Sequence, residues 1–181
     1  NTYEELKDKY NFKIYPIIQS TAQIIAQMPL EKIGVFATAA TINSKAYSTE
    51  LKKYNPNLDV FEISCPPWVN IVENRLQDSE ESIEIIKSYL DEMLIHKPDK
   101  IILGCTHYPY LLDTLSQFAP SELFINPATY FAKYIKSDLI SHNLLNKNDN
   151  GSEKFIVSAN PEHFKAAASM FYPINALPQL T

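Results

Sequence analysis

One stretch constrains the fold more than any other: Lys100-Ile101-Ile102-Leu103-Gly104-Cys105-Thr106-His107-Tyr108-Pro109, followed by Tyr110-Leu111-Leu112-Asp113-Thr114-Leu115. A short apolar run that starts on β-branched residues reads as a buried strand. Gly104 ends it. Pro109 suits the first turn of a helix, where a missing N–H costs little. Cys105, Thr106 and His107 are therefore expected at the carboxyl end of a strand and the amino end of a helix. Open α/β sheets place ligands there. A helix start also offers free N–H groups and partial positive charge, which favour anions and thiolates.

The rest of the chain alternates in the same way. Helical patterning is expected over 4–10, 21–28, 42–54, 68–75, 79–96, 128–145 and 161–171. Strands are expected over 12–18, 32–38, 58–64, 122–126 and 154–159. Pro16 marks the first of these as an edge or a frayed end. Apolar positions Ile83, Ile86, Leu90, Met93 and Leu94 recur at spacings of three and four, and Ser79 is placed to cap that helix. Residues 146–152 carry only loop signals, and the tail from Pro173 reads as irregular. Alternating strands and helices give an α/β class with a mostly parallel sheet flanked by helices and right-handed connections.

Composition narrows the function classes. Apolar residues make up 45% of the 181 and charged residues 20%, enough for a sizeable core. The net charge of −5 and the lack of any Lys/Arg-rich run predict no nucleic-acid partner. No apolar run reaches membrane-spanning length, so no membrane partner is expected. Two widely spaced cysteines, Cys65 and Cys105, make no disulfide framework, and a reduced, cytoplasmic setting is expected. Three glycines cannot build a G-x-G-x-x-G or a P-loop. The chain starts without Met and without a signal peptide, so upstream sequence is expected to be missing.

Cys105 with His107 is the strongest chemical pair. A thiol with an ordinary pKa of about 8.5 is easier to ionise beside a helix start or an imidazolium, and then acts as nucleophile or base. The alternative is a buried structural cysteine. Two ligand types do not make a zinc site, so no metal is expected. Cys65, before Pro66 and Pro67, reads as structural. Thr38 and Thr41 stand just past another strand, where their hydroxyls bind a carboxylate or cap the next helix; on local grounds capping suits one of them. Glu73 reads by default as a surface carboxylate. His96, His142 and His163 read as solvated.

Gly104-Cys105-Thr106-His107-Tyr108-Pro109 resembles the G-C-T-H-Y/F-P signature of glutamate racemases, in the wider aspartate/glutamate racemase group. Ile33-Gly34-Val35-Phe36-Ala37-Thr38-Ala39-Ala40-Thr41-Ile42, running on to Asn43-Ser44-Lys45-Ala46-Tyr47, resembles I-G-V-x-G-T-x-x-T-I-x-S-x-A-Y. Cys65-Pro66-Pro67-Trp68-Val69, reaching Glu73, resembles C-P-L-F-V-P-L-V-E, and 155–164 resembles the closing strand and helix. The resemblance implies a cofactor-independent racemase that supplies D-glutamate for peptidoglycan. Two thiols on opposite faces of the substrate would exchange the Cα proton. By resemblance Cys105 is the second of them and deprotonates the L isomer, with His107 assisting. Thr106, Thr38 and Thr41 would bind substrate, and Glu73 would support this half-site. With no electron sink, the dianionic intermediate calls for N–H donors and hydroxyls in a closed site.

Several family segments have no counterpart here: D-S-G-x-G-G, Y-G-D, V-P-Y-G and C-N-T-A-S. The first catalytic cysteine is expected roughly half a dozen residues before Asn1. Ala37 stands where the family has glycine, and Asn126-Pro127-Ala128 where it commonly has D-S-G. The resemblance thus implies a compact racemase domain over 21–126, with 1–20 and 127–181 belonging to another domain. A fragment inactive alone is expected, associating as a homodimer or with the missing part. The alternatives are a short non-catalytic binder of acidic amino acids and an aspartate racemase, against which His107 argues.

Overall fold

The computed structural model describes residues 2–146, 151–169 and 171–181. Two compact units divide the chain, Asn1–Asn143 and Leu144–Thr181. The first is built on a four-stranded sheet in the order β2-β1-β3-β4, with β1 Lys32–Ala37, β2 Asp59–Ser64, β3 Lys100–Leu103 and β4 Phe124–Ile125. Every neighbouring pair is parallel. The chain steps from β1 to β2 on one side, then crosses back to lay β3 on the other. The crevice at such a reversal, between the carboxyl ends of β1 and β3, is where α/β sheets bind ligands.

Strand periodicity sets the two cores. Phe36, Ile101, Leu103 and Phe124 face one side and pack with Trp68, Ile71, Ile86, Leu90, Met93 and Tyr108. Ile33, Val35, Ala37, Ile102 and Ile125 face the other and pack with Ala22, Ile25, Tyr47 and Leu51. The first face carries α5 (Pro67–Glu73) and α6 (Glu80–Leu94); the second carries α2 (Ile17–Ile25) and α4 (Ala46–Tyr54). In α6 the buried residues are Ser82, Ile86, Leu90 and Met93, and the Ser79 side chain accepts the Ser82 N–H as its cap. Glu80 and Glu81 in its first turn complement the helix dipole. α1 is Thr2–Leu6, and α8, Pro127–Ser141, is capped by the Asn126 side chain.

Several expectations are corrected. The strand over 12–18 is absent: 13–16 is irregular and α2 begins at Ile17, with Pro16 as its N-cap. Ile18, Ala22 and Ile25 share that helix's inner face, so a spacing of three and four outweighs the local β-branched run. The helix over 42–54 is two helices, α3 (Ala39–Asn43) and α4, broken where Lys45 takes a left-handed φ of 51°. No glycine announces that break. After Cys105 comes a 3-10 turn, Tyr108–Leu111, then α7, Leu112–Leu115, one turn long, so a long helix dipole does not back the thiol. Finally, the tail contains β6, Gln179–Leu180, which pairs in parallel with β5, Ile156–Val157.

Helix α8 stops at Ser141, short of the expected 145, with Asn143 at φ 55° just beyond it. Left-handed asparagine is a usual helix terminator. The loop expected over 146–152 falls mostly on 147–150, which lie outside the described residues. In the second unit α9 spans Pro161–Ala168, against an expectation that ran to 171 across position 170, itself outside the described residues. The Phe155 ring meets Phe164 and Tyr172 there, at centroid separations of 6.5 and 6.1 Å.

Candidate active site

The carboxyl ends of β1, β3 and β4 open into a cleft of about 490 Å³. Thr41, Tyr47, Gly104, Cys105, Thr106, Pro109 and Tyr110 line it, with Asn126–Ala128 and with Ile17 and Ile18 of α2. This is the winding-reversal crevice that the strand order sets up.

Gly104 leaves the sheet by donating its N–H to Phe36 O at 2.7 Å, and Tyr108 N–H donates back to Cys105 O at 3.1 Å. The tight turn between these bonds holds Cys105 half-buried at the cleft wall. Cys105 Sγ lies 3.8 Å from His107 Nδ1, and His107 Nε2 lies 3.1 Å from Glu73 Oε1. A neutral imidazole with its Nε2–H toward the carboxylate presents the Nδ1 lone pair to the Cys105 thiol. Glu73 is the last residue of α5, where the negative end of the helix dipole disfavours a carboxylate. Its partnership with His107 offsets that placement.

Thr38 occupies the N-cap of α3, yet its side chain makes no capping bond. Its hydroxyl instead shares a 3.2 Å hydrogen bond with the Thr41 hydroxyl. Sequence reasoning favoured capping for one of these threonines; Thr38 holds the N-cap position, but its hydroxyl pairs with Thr41 three residues on and not with a backbone N–H. Thr106 is exposed at the rim. The structure thus brings Cys105, His107 and Glu73 into one chain of contacts, with Thr41 and Thr106 on the same cleft and Thr38 bonded to Thr41.

Cys65 is fully buried, with Sγ directed at Ile63 O 3.7 Å away. Burial, reinforced by the charge of Glu92, pushes its thiol far above the usual range. Tyr108 is buried too and donates its hydroxyl to Cys65 O at 2.9 Å, bracing the turn after Cys105. Among the other histidines, His96 is half-buried with its ring stacked on Phe61 at 4.2 Å, so it is not simply solvated. His142 and His163 are exposed. Among the described residues, no three His, Cys, Asp or Glu side chains come together as a metal site. No helix among them is long and apolar enough to cross a membrane.

Tyr47 was given no role from the sequence, and the Asn126–Ala128 corner entered only as a departure from D-S-G. The signal for Tyr47 was its place at the end of the I-x-S-x-A-Y run, inside what reads as one helix over 42–54.

The Asp/Glu/Hydantoin racemase family model matches residues 2–134. The chain belongs to the Asp/Glu/hydantoin racemase family. Among curated members of this racemase family, it is similar to glutamate racemase 2 of Caldanaerobacter subterraneus subsp. tengcongensis, at 30% identity over 166 residues, 91% of this chain. The chain spans 63% of that protein's length. A Trichodesmium erythraeum glutamate racemase is 32% identical over 89% of this chain and 60% of its own length. The crystal structure of Bacillus anthracis glutamate racemase isoform RacE1 superposes with a TM-score of 0.88 at 26% identity, covering 99% of this chain and 68% of that one. The Francisella tularensis glutamate racemase, solved in complex with D-glutamate, gives 0.85 at 26% identity over 98% of this chain and 66% of that one. The mostly parallel sheet with flanking helices is therefore the racemase family's own.

Proposed function

We propose that this chain carries one acid–base half of a glutamate racemase, acting without a cofactor in the cytoplasm to supply D-glutamate for peptidoglycan. The observation behind this reading is the run of contacts from Cys105 through His107 to Glu73, with its sulfur on a cleft at the reversal of the sheet. Cys105, as thiolate, takes the Cα proton of L-glutamate, and the Cα–H electron pair stays on the substrate as a carbanion. His107 Nδ1 accepts the thiol proton when Cys105 is reset, and Glu73 stabilises the imidazolium. Thr38, Thr41 and Thr106 supply hydroxyls to the substrate's carboxylates.

Inversion requires a second group that returns a proton to the opposite face of Cα. Cys65 does not fit that role, being enclosed in the core behind β2. The proposal assigns the second thiol to a part of the full-length protein beyond this chain. The 21–126 core, with 1–20 and 127–181 completing another domain, belongs to the same proposal.

The test has two arms. This chain alone, incubated with L- or D-glutamate in D2O, is expected to give no racemisation by polarimetry; turnover would refute its status as a half-site. In protein that carries both thiols, Cys105→Ser is expected to lower interconversion by roughly 10²–10⁴-fold. Unchanged interconversion would remove Cys105 from the reaction.

A further inference from the structure

Among the described residues that line the cleft beside Cys105 there is no Lys, Arg or His. A carboxylate held there relies on neutral donors aimed at it, because no fixed cation attracts it. The start of α8 forms one wall, but its donors are already engaged. Pro127 has no N–H, Ala128 N–H donates to Asn126 Oδ1 at 3.0 Å, and Thr129 N–H donates to Asn126 O at 3.2 Å. The helix lends its field and no free bond.

Tyr47 is an unused donor. It lines the cleft and is only 1% exposed. Among the described residues its hydroxyl has no hydrogen-bond partner, and the enclosed unpartnered side-chain atoms there are Ser64 Oγ and Trp68 Nε1. The Tyr47 hydroxyl is therefore not fully enclosed, and Tyr47 is one of the residues that line the cleft. Its ring is fixed beneath the turn, with Cε2 only 2.8 Å from where a Cβ on Gly104 would lie. Burial, and then the charge of Cys105, push its phenol far above the usual range, so it stays protonated.

We infer that the Tyr47 hydroxyl is a substrate-binding donor that receives a carboxylate of the amino acid whose Cα lies against Cys105. This rests on the glutamate reading of the cleft and adds a residue to it. A hydroxyl so nearly enclosed, with no protein partner, gains most from an acceptor that a ligand brings, which gives a role to a tyrosine where phenylalanine would fill the same space.

Alkylation of Cys105 by iodoacetamide, followed by intact mass, tests both ideas separately, since buried Cys65 adds no second adduct. Glutamate is expected to slow alkylation of the wild-type chain. In Tyr47→Phe, half-protection is expected to need roughly tenfold more glutamate, the loss of one hydrogen bond to a charged group. Equal half-protection in the two proteins overturns the assignment while leaving the glutamate site standing. If glutamate gives the wild-type chain no protection, the glutamate reading fails and the assignment falls with it. A second measurement does not depend on the variant folding: 3-fluorotyrosine introduced at position 47 alone keeps the hydroxyl. Its 19F resonance is expected to move on saturation with glutamate. A resonance that stays fixed while Cys105 is protected overturns the assignment.

Discussion

Gly104 works through the side chain it lacks. A Cβ there would sit 2.8 Å from Tyr47 Cε2, 3.0 Å from Phe36 O and 3.3 Å from Ala37 Cβ. Phe36 O is backbone and already accepts the Gly104 N–H, so it cannot retreat without straining β1. The Tyr47 ring is wedged in the core. Gly104→Ala is expected to destabilise the chain by about 1–3 kcal/mol through overpacking, read as a lower urea midpoint. An unchanged midpoint would show that the turn has slack. Gly34 looks similar but differs in kind, because its nearest neighbour is Met93 Sδ at 2.5 Å, a flexible thioether. The chemistry-bearing residues were legible at this scale because the motif is contiguous from Gly104 to Pro109. The contact between Glu73 and His107 was not, since 34 positions separate them and no local pattern links an α5 terminus to a β3 exit.

Among the elements, the amino ends of β1 and β3 are clasped by one carboxylate. Asp99 accepts the N–H groups of Glu31 at 2.8 Å and Lys32 at 2.9 Å, and donates its own N–H to Lys32 O at 2.9 Å. The bond from the Lys32 N–H, then that from Glu31, holds its carboxyl below the ordinary carboxylate range. A depressed folded value means the stabilisation is complete above the unfolded pKa of about 3.9. It is lost as pH falls through the lower, folded value. Between about pH 5 and pH 2.5 the wild-type urea midpoint is expected to fall further than that of Asp99→Asn, which cannot titrate there. Parallel declines would remove Asp99 from the acid limb. Helices with strong caps and unbroken periodicity, such as α6 behind Ser79, were readable from the sequence. The stretch over 12–18 misled because a run of apolar residues around Pro16 satisfies a strand pattern and a helix start equally well. Only packing of Ile18, Ala22 and Ile25 against the sheet decides between them.

For the molecule as a whole, β1 and β3 are shared by two cores on opposite faces of one sheet. Leu51 is fully buried on one face and Leu90 on the other. Replacing either by Ala is expected to cost about 2–5 kcal/mol. Trp68, the chain's single tryptophan, reports from the Leu90 side. Its fluorescence transition in Leu51→Ala is expected to move with the far-UV circular dichroism transition, because losing one face takes the common strands with it. A tryptophan transition that stayed in place would mean the two faces unfold separately.

The sequence by itself determined which segments are strands and helices where their periodicity is unambiguous. It also determined the class of sheet and the family, through one hexapeptide at a strand exit. Those signals are local, carried by spacings of two, three and four residues. The tertiary structure alone decided the order β2-β1-β3-β4, the break at Lys45 that turns Tyr47 under Gly104, and the approach of Glu73 to His107. Each depends on which surfaces are buried against each other across distant parts of the chain, and burial between distant segments leaves no mark in the spacing of neighbours.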